Sequence, residues 1–216
     1  MKRICRMVVL FFAVLTLAAP ALVSAAWIID FGINTPTTGS ISYAGGNTPL
    51  VGSNIQVDNY IGLDTPLNNG VGFNLPNGIL NFTTGALIGS TPYTWDFGSG
   101  GSISILNGST TLLSGSFNSA SVAKTGELFR VAFSSFTDFK NAELAAFYGL
   151  GEYANLPWDG SFNISFAAVG TPPGGFLSST VLSGDVMNTV PEPGTLVLLG
   201  SGLVGIAAWG RKKFRM

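Results

Sequence analysis

Apolar and polar residues alternate in short runs along the middle of the chain, and Gly, Asn, Pro and Ser separate the runs. The clearest run is Ser161-Phe-Asn-Ile-Ser-Phe166. Phe162, Ile164 and Phe166 point one way there, and Asn163 and Ser165 point the other. Strict alternation is the period of a half-buried β-strand. Ser102–Leu106 and Ser109–Leu113 flank Asn107-Gly108, a pair suited to a type I′ hairpin because both central positions need positive φ. Val71–Leu75 and Ile79–Thr83 flank Pro76-Asn77-Gly78 and predict a second hairpin. Glu127–Phe133, with Leu128, Phe129, Val131 and Phe133, predicts a central strand. Tyr93–Phe97 and Val181–Val186 predict two more. Asp138–Tyr148 fits either one short helix or a strand followed by a loop. Asn34–Asn69 is rich in turn residues and predicts long loops with short edge strands. No stretch keeps a helical period for the length of an ordinary helix. Strands at intervals of about 8–12 residues with turn signals between them predict an all-β fold, a single antiparallel β-sandwich or jelly-roll-like domain.

The two ends break this pattern. Lys2, Arg3 and Arg6 form a positive region, Met7–Ala19 is apolar, and Pro20 and Val23-Ser24-Ala25-Ala26 follow. This is the layout of a secretory signal peptide, with small residues at the positions a signal peptidase reads. Cleavage is expected after Ala26, leaving Trp27 first. The apolar stretch is short of the roughly 20 residues a spanning helix needs. At the other end, Val190-Pro191-Glu192-Pro193-Gly194 precedes an apolar run from Thr195 to Trp209, and Arg211, Lys212, Lys213 and Arg215 close it. As a helix, residues 195–210 are roughly 24 Å long at about 1.5 Å per residue. Snorkelling by Arg211 and Lys212 brings that within reach of a bilayer core. Basic residues stay on the cytoplasmic side, so the chain in front of the run lies outside. Pro191 and Pro193 keep the preceding residues extended and force the helix to start after them. The expected division is therefore 1–26 signal peptide, 27–189 extracellular β-domain and 190–216 sorting signal.

That C-terminal order of Pro-Glu-Pro, apolar helix and basic stop resembles the PEP-CTERM sorting domain of Gram-negative bacteria. The resemblance covers about an eighth of the chain. It implies recognition by an exosortase, a membrane-embedded cysteine transpeptidase-like enzyme, with Pro191, Glu192 and Pro193 as the sorting motif. Arg211, Lys212, Lys213 and Arg215 become the stop-transfer residues. It further implies membrane anchoring through residues 195–210 until the tail is removed, then release or attachment at the cell surface. Members of the group are commonly linked to exopolysaccharide and biofilm matrix.

Charge and composition narrow the classes. Seven of the ten basic residues lie in the two end segments. Between those segments stand three basic residues, Lys124, Arg130 and Lys140, against ten acids, a net of −7. Such a body lacks the basic footprint that nucleic-acid binding needs. The single cysteine, Cys5, lies in the expected signal peptide, and there is no histidine. Disulfides, thiol nucleophiles and imidazole-dependent triads or zinc sites are thereby excluded from the expected mature domain. No cofactor is expected.

The remaining candidate chemistry is thin. Trp95 and Trp158, each followed by Asp, are candidates for stacking on sugar rings, and extracellular polysaccharide is the matching partner. Core packing is the plainer reading of both. Glycoside hydrolysis needs only two carboxyl groups, and Glu143 with Glu152, or Asp138 with Asp159, could be chosen. Solvated surface acids are the commoner explanation. Asp58, Asn59 and Asp64, or Asp96 with Asp159, offer hard oxygen ligands for calcium, without the spacing of an EF-hand loop. The leading expectation is a non-catalytic structural or adhesive matrix protein. A carbohydrate-binding module stands second and a carboxylate-dependent hydrolase third.

Overall fold

A computed structural model describes residues 26–34 and 37–190. The expected signal peptide, the Pro191–Pro193 motif, the apolar run 195–210 and the basic residues Arg211–Arg215 lie outside the described residues. The body is an all-antiparallel β structure with eleven strands. In chain order they are β1 Ile28–Ile33, β2 Ser40–Tyr43, β3 Pro49–Leu63, β4 Gly72–Thr91, β5 Thr94–Phe97 and β6 Gly100–Asn107. Then come β7 Thr110–Thr125, β8 Leu128–Lys140, β9 Trp158–Ala167, β10 Phe176–Ser178 and β11 Val181–Thr189. One helix, α1 Ala142–Phe147, and a 3₁₀ turn, Gly151–Tyr153, sit between β8 and β9.

Hydrogen bonding runs from β3 through β1, β11, β9, β8, β7, β6 and β4 and returns to β3. The expected sandwich is therefore closed round both sides, which leaves few unpaired strand edges. The short strand β5 links the far halves of β4 and β7. β2 continues β1 along the same edge of β3, and β10 pairs with β2.

Alternation places the apolar residues inside. In β9, Trp158, Phe162, Ile164 and Phe166 are buried, while Asp159 and Ser161 face out. Two aromatic groups fill the barrel. Phe82, Phe117, Phe136 and Phe162 pack together at one level, with centroids 5.0 Å apart for Phe82 and Phe162. Trp95, Phe129, Phe166 and Phe176 form the other, with Tyr43 and Phe97 beside them. An apolar inside and a polar outside are the reverse of a barrel built to face lipid.

Three sequence expectations change here. Pro76-Asn77-Gly78 is no hairpin: β4 runs straight through it. The register with β3 shifts between Val57 and Asn59, so Pro76 and Asn77 form a bulge. Proline has no N–H to give a ladder and is tolerated there. The Gln56 amide fills the gap by donating to the carbonyls of Val57 and Leu75. The stretch Asn34–Asn69 is not mainly loop, since it contains the long inner strand β3. Its turn-like residues are used in place: Asn54 has φ of 53° at a second bulge, and Gly52 leaves room for the Phe82 ring. The β6–β7 hairpin forms as expected, but its centre is Gly108-Ser109, because Asn107 still pairs with Thr110. Only Gly108 is left-handed, at φ of 60°, which fits a type II′ turn. The ambiguous Asp138–Tyr148 segment is both a strand end and a helix. Asn141 caps α1 by accepting from the backbone N–H of Glu143 and Leu144.

Gly160 repeats the arrangement at Gly52: a Cβ there would overlap the Phe136 ring. Gly160→Ala is expected to cost about 1–3 kcal/mol, as overpacking does. Gly108→Ala meets open space and should cost about 1 kcal/mol from its left-handed backbone alone. Denaturant titration of both variants checks the order. Equal losses would mean that the ring contact at Gly160 is not tight.

Candidate functional site

Both ends of the β body meet at one place. Ile28 pairs with Thr189 across β1 and β11, and the Val190 N–H donates to the Trp27 carbonyl at 3.1 Å. The Trp27 ring stands edge-on to Tyr153 at 5.4 Å. Val190, the last described residue before the motif, therefore stands at the same end as Trp27.

That end is plugged by the loop after β3 and by α1 with its 3₁₀ turn. Tyr148 lies over Gly62, where no Cβ could fit, and its hydroxyl donates to the Val71 carbonyl at 2.6 Å. Leu67 N–H donates to the Tyr148 carbonyl, and the Asn68 amide donates to that of Phe147. Burial pushes the Tyr148 hydroxyl up to about 12. On top of this plug lies an aromatic shelf. Tyr60 meets Phe73 at 5.4 Å and Phe73 meets Phe147 at 5.0 Å. Leu67, Val71, Phe73 and Leu156 keep 40–57 % of their surface exposed. This shelf has no period in the sequence, because it is assembled from two segments far apart in the chain.

The two candidate sugar platforms are core residues. Trp95 is fully buried, stacked on Phe129 at 5.3 Å, and its indole N–H donates to the Gly174 carbonyl. Trp158 is fully buried too, and its indole N–H donates to the Tyr153 carbonyl. Neither ring offers a face to a ligand, so the plainer sequence reading holds for both.

The acids fall into three groups. Asp138 is buried on the inner face of β8, paired with Lys140 two residues on. The Lys140 ammonium sits 4.8 Å from the Trp158 ring. Burial dominates both ionisations. It raises the Asp138 carboxyl against the lowering influence of Lys140, and it brings Lys140 down to about 8. Asp159 faces out on β9, so the Asp138 and Asp159 carboxyls lie on opposite faces. Glu143 and Glu152 are exposed on the plug. Asp58 accepts from the Asn34 N–H, and Asp96 accepts from the Ser121 hydroxyl at 2.6 Å. Both are occupied as structural acceptors. Among the described residues no three acids, histidines or cysteines come close enough to hold a metal ion.

The third group, Asp30 on β1 and Asp185 on β11, was not legible in the sequence. The register that sets them near each other is known only from the fold. Burial, then the charge of Asp185, raises Asp30 from its ordinary 3.8 to about 6. A depression of about 450 Å³ lies elsewhere, at the Pro76 bulge, lined by Gln56, Pro76, Asn77, Ile79, Asn81, Leu106 and Gly108. None of these is an acid, so cavity and perturbed carboxyls do not coincide.

The fold and its exit point define an all-β domain carried ahead of a C-terminal sorting segment. Residues 189–212 match the family model of the PEP-CTERM protein-sorting motif. The chain thus carries the signal by which exosortases sort exported proteins of Gram-negative bacteria, with anchoring at the membrane during processing. No curated protein and no solved structure matches the chain. Among the described residues no helix is long and apolar enough to cross a membrane, and the apolar run 195–210 lies outside them.

Two predictions follow from the acids. Lys140→Met leaves Asp138 buried without its partner and should cost about 3–5 kcal/mol. Adding Asp138→Leu should recover most of that loss, and a double variant no better than the single would rule out the pairing as the cause. Asp30 has a folded pKa raised above its unfolded value, so the folded state holds this proton more tightly. Its contribution is most favourable below about pH 4 and is lost as pH rises towards about 6. Asp30→Asn should therefore stabilise above pH 6, by roughly 1 kcal/mol after allowance for partial exposure. The gain should vanish near pH 4. Melting temperatures across that range decide it, and a pH-independent difference would sink the assignment.

Proposed function

We propose that the protein is a non-catalytic structural or adhesive component of the extracellular polysaccharide or biofilm matrix, displayed at the cell surface after an exosortase removes its tail. The observation that carries this reading is the joining of a closed barrel to a sorting motif at one end. Most of the barrel's aromatic rings, Trp95 and Trp158 among them, pack in its own core, and its outer face carries many Ser, Thr and Asn residues. Its buried ion pair, Asp138–Lys140, lies within β8 and is enclosed by the core. Its depression carries amides and apolar groups with no acid among them.

Processing in this reading has two cuts. Signal peptidase removes residues 1–26 and leaves Trp27, whose ring and carbonyl already serve the domain. The second cut falls near Pro191–Pro193. That cut lies beyond Thr189, where β11 ends, so it breaks no strand of the body.

The test is the intact mass of the protein from its native cells, taken from membrane, matrix and medium separately. The expected species begins at Trp27, ends between Pro191 and Gly194, and sediments with isolated extracellular polysaccharide. Any excess mass identifies an attached group. Changing Pro191, Glu192 and Pro193 together to Ala should leave a membrane species that keeps Arg211–Met216. Normal processing of that variant would overturn the assigned motif. A mature protein found only free in the medium would overturn the matrix role.

A further inference from the structure

We propose that the plugged end of the barrel rests on the lipid surface while the tail is inserted, with Leu67, Val71, Phe73 and Leu156 entering the interface. The inference deepens the membrane-anchored stage of the sorting reading and rests on it.

Two independent observations select the bilayer as occupant. The first is reach. Val190 is fixed to Trp27 by a backbone hydrogen bond, and the apolar run starts at Thr195. Five residues span at most about 17 Å when fully extended. This end of the domain is thus held against the surface into which the run inserts. The second is chemistry. The same end exposes Leu67 at 57 %, Leu156 at 46 %, Val71 at 41 % and Phe73 at 40 %. They are carried on a rigid base, since Tyr148 bonds to Val71, and Phe147 packs against Phe73. Rigid, exposed apolar groups gain free energy in the interface without an ordering cost.

Charge defines the kind of contact. Asp64, Glu143 and Glu152 are exposed around the plug. None of the body's three cations offers its charge to this surface: Lys140 is buried beside Asp138, Lys124 donates to the Gly170 carbonyl at the opposite end, and Arg130 donates to the Asn163 side chain on β9. Contact is therefore by apolar insertion and not by attraction to anionic headgroups, and added anionic lipid should weaken it. The opposite end exposes Tyr93 at 68 % and Val169 at 79 %. It is more apolar still, yet no tether holds it to a membrane, and it provides the control.

The experiment uses the full chain with Cys5→Ser, inserted through its tail into phosphatidylcholine nanodiscs at one copy per disc. An environment-sensitive fluorophore is attached at Leu67→Cys, Leu156→Cys or Val169→Cys in turn. All three positions are exposed, so the fold tolerates each change. Quenching by spin-labelled lipid should be several-fold stronger at 67 and 156 than at 169, and should fall when phosphatidylglycerol is added. Equal, weak quenching at all three positions overturns the proposal. Shielding at 67 that appears only with two copies per disc assigns the face to a second chain and overturns it too. A chain that fails to join the discs at all refutes the anchored stage itself, which is a different failure from a domain that joins and stands clear of the lipid.

Discussion

The barrel depends on aromatic rings lying flat against glycines. Phe82 covers Gly52, Phe136 covers Gly160 and Tyr148 covers Gly62. A side chain at any of these three positions would push the ring inward, into neighbours already packed at centroid distances of 5.0–6.3 Å. Interiors at crystal density do not absorb such a shift cheaply. Because the strands close on themselves, a displaced strand cannot slide outward as an edge strand could. The same three contacts tie one aromatic level and the plug to the strands beneath them. The exit point beside Trp27 is thereby set by packing deep in the body.

Without cysteine or histidine in the described body, this domain needs stability from other sources. Aromatic pairs contribute beyond their buried area, and the closed pairing leaves little edge for unwanted association. The buried Asp138–Lys140 pair does not fit that scheme of simple burial. Its two charges give up hydration, and their attraction together with the Trp158 ring offsets this only while both are present. Such a pair specifies which face of β8 turns inward more than it adds to stability. Phe139, between the two, is half exposed, so a slip of one residue would bury a phenylalanine and expose both charges.

Alternation made the strands legible, because burial on one face of a sheet leaves a period of two in the chain. Ser161–Phe166 and Val181–Val186 are strands, and Glu127–Phe133 is one from Leu128 onward, each running further in the fold than the alternation alone shows. The errors came from Gly, Asn and Pro. A tight turn and a bulge both require residues that accept left-handed backbone or lack an N–H, so Asn54 and Pro76 read as turns while serving as bulges. The tail was legible because its signal is linear: motif, apolar run and basic stop follow one another in order. The aromatic shelf and the Asp30–Asp185 neighbours were not, since each joins residues whose nearness depends on register. The same limit applies to Trp95 and Trp158, for which a Trp-Asp pair looks alike in a loop and at a buried strand end.

A protein sorted by its C-terminus must present that segment to an enzyme in the membrane while its body stays folded outside. Antiparallel pairing of the first and last strands meets this demand directly. With β1 and β11 side by side, Trp27 and Val190 stand together at one end of the barrel. Every strand of the described body lies ahead of the sorting motif, the last of them ending at Thr189. Proline strengthens the separation. Pro191 and Pro193 carry no N–H to give a ladder, so the sequence itself disfavours continuing β11 into the sorting motif.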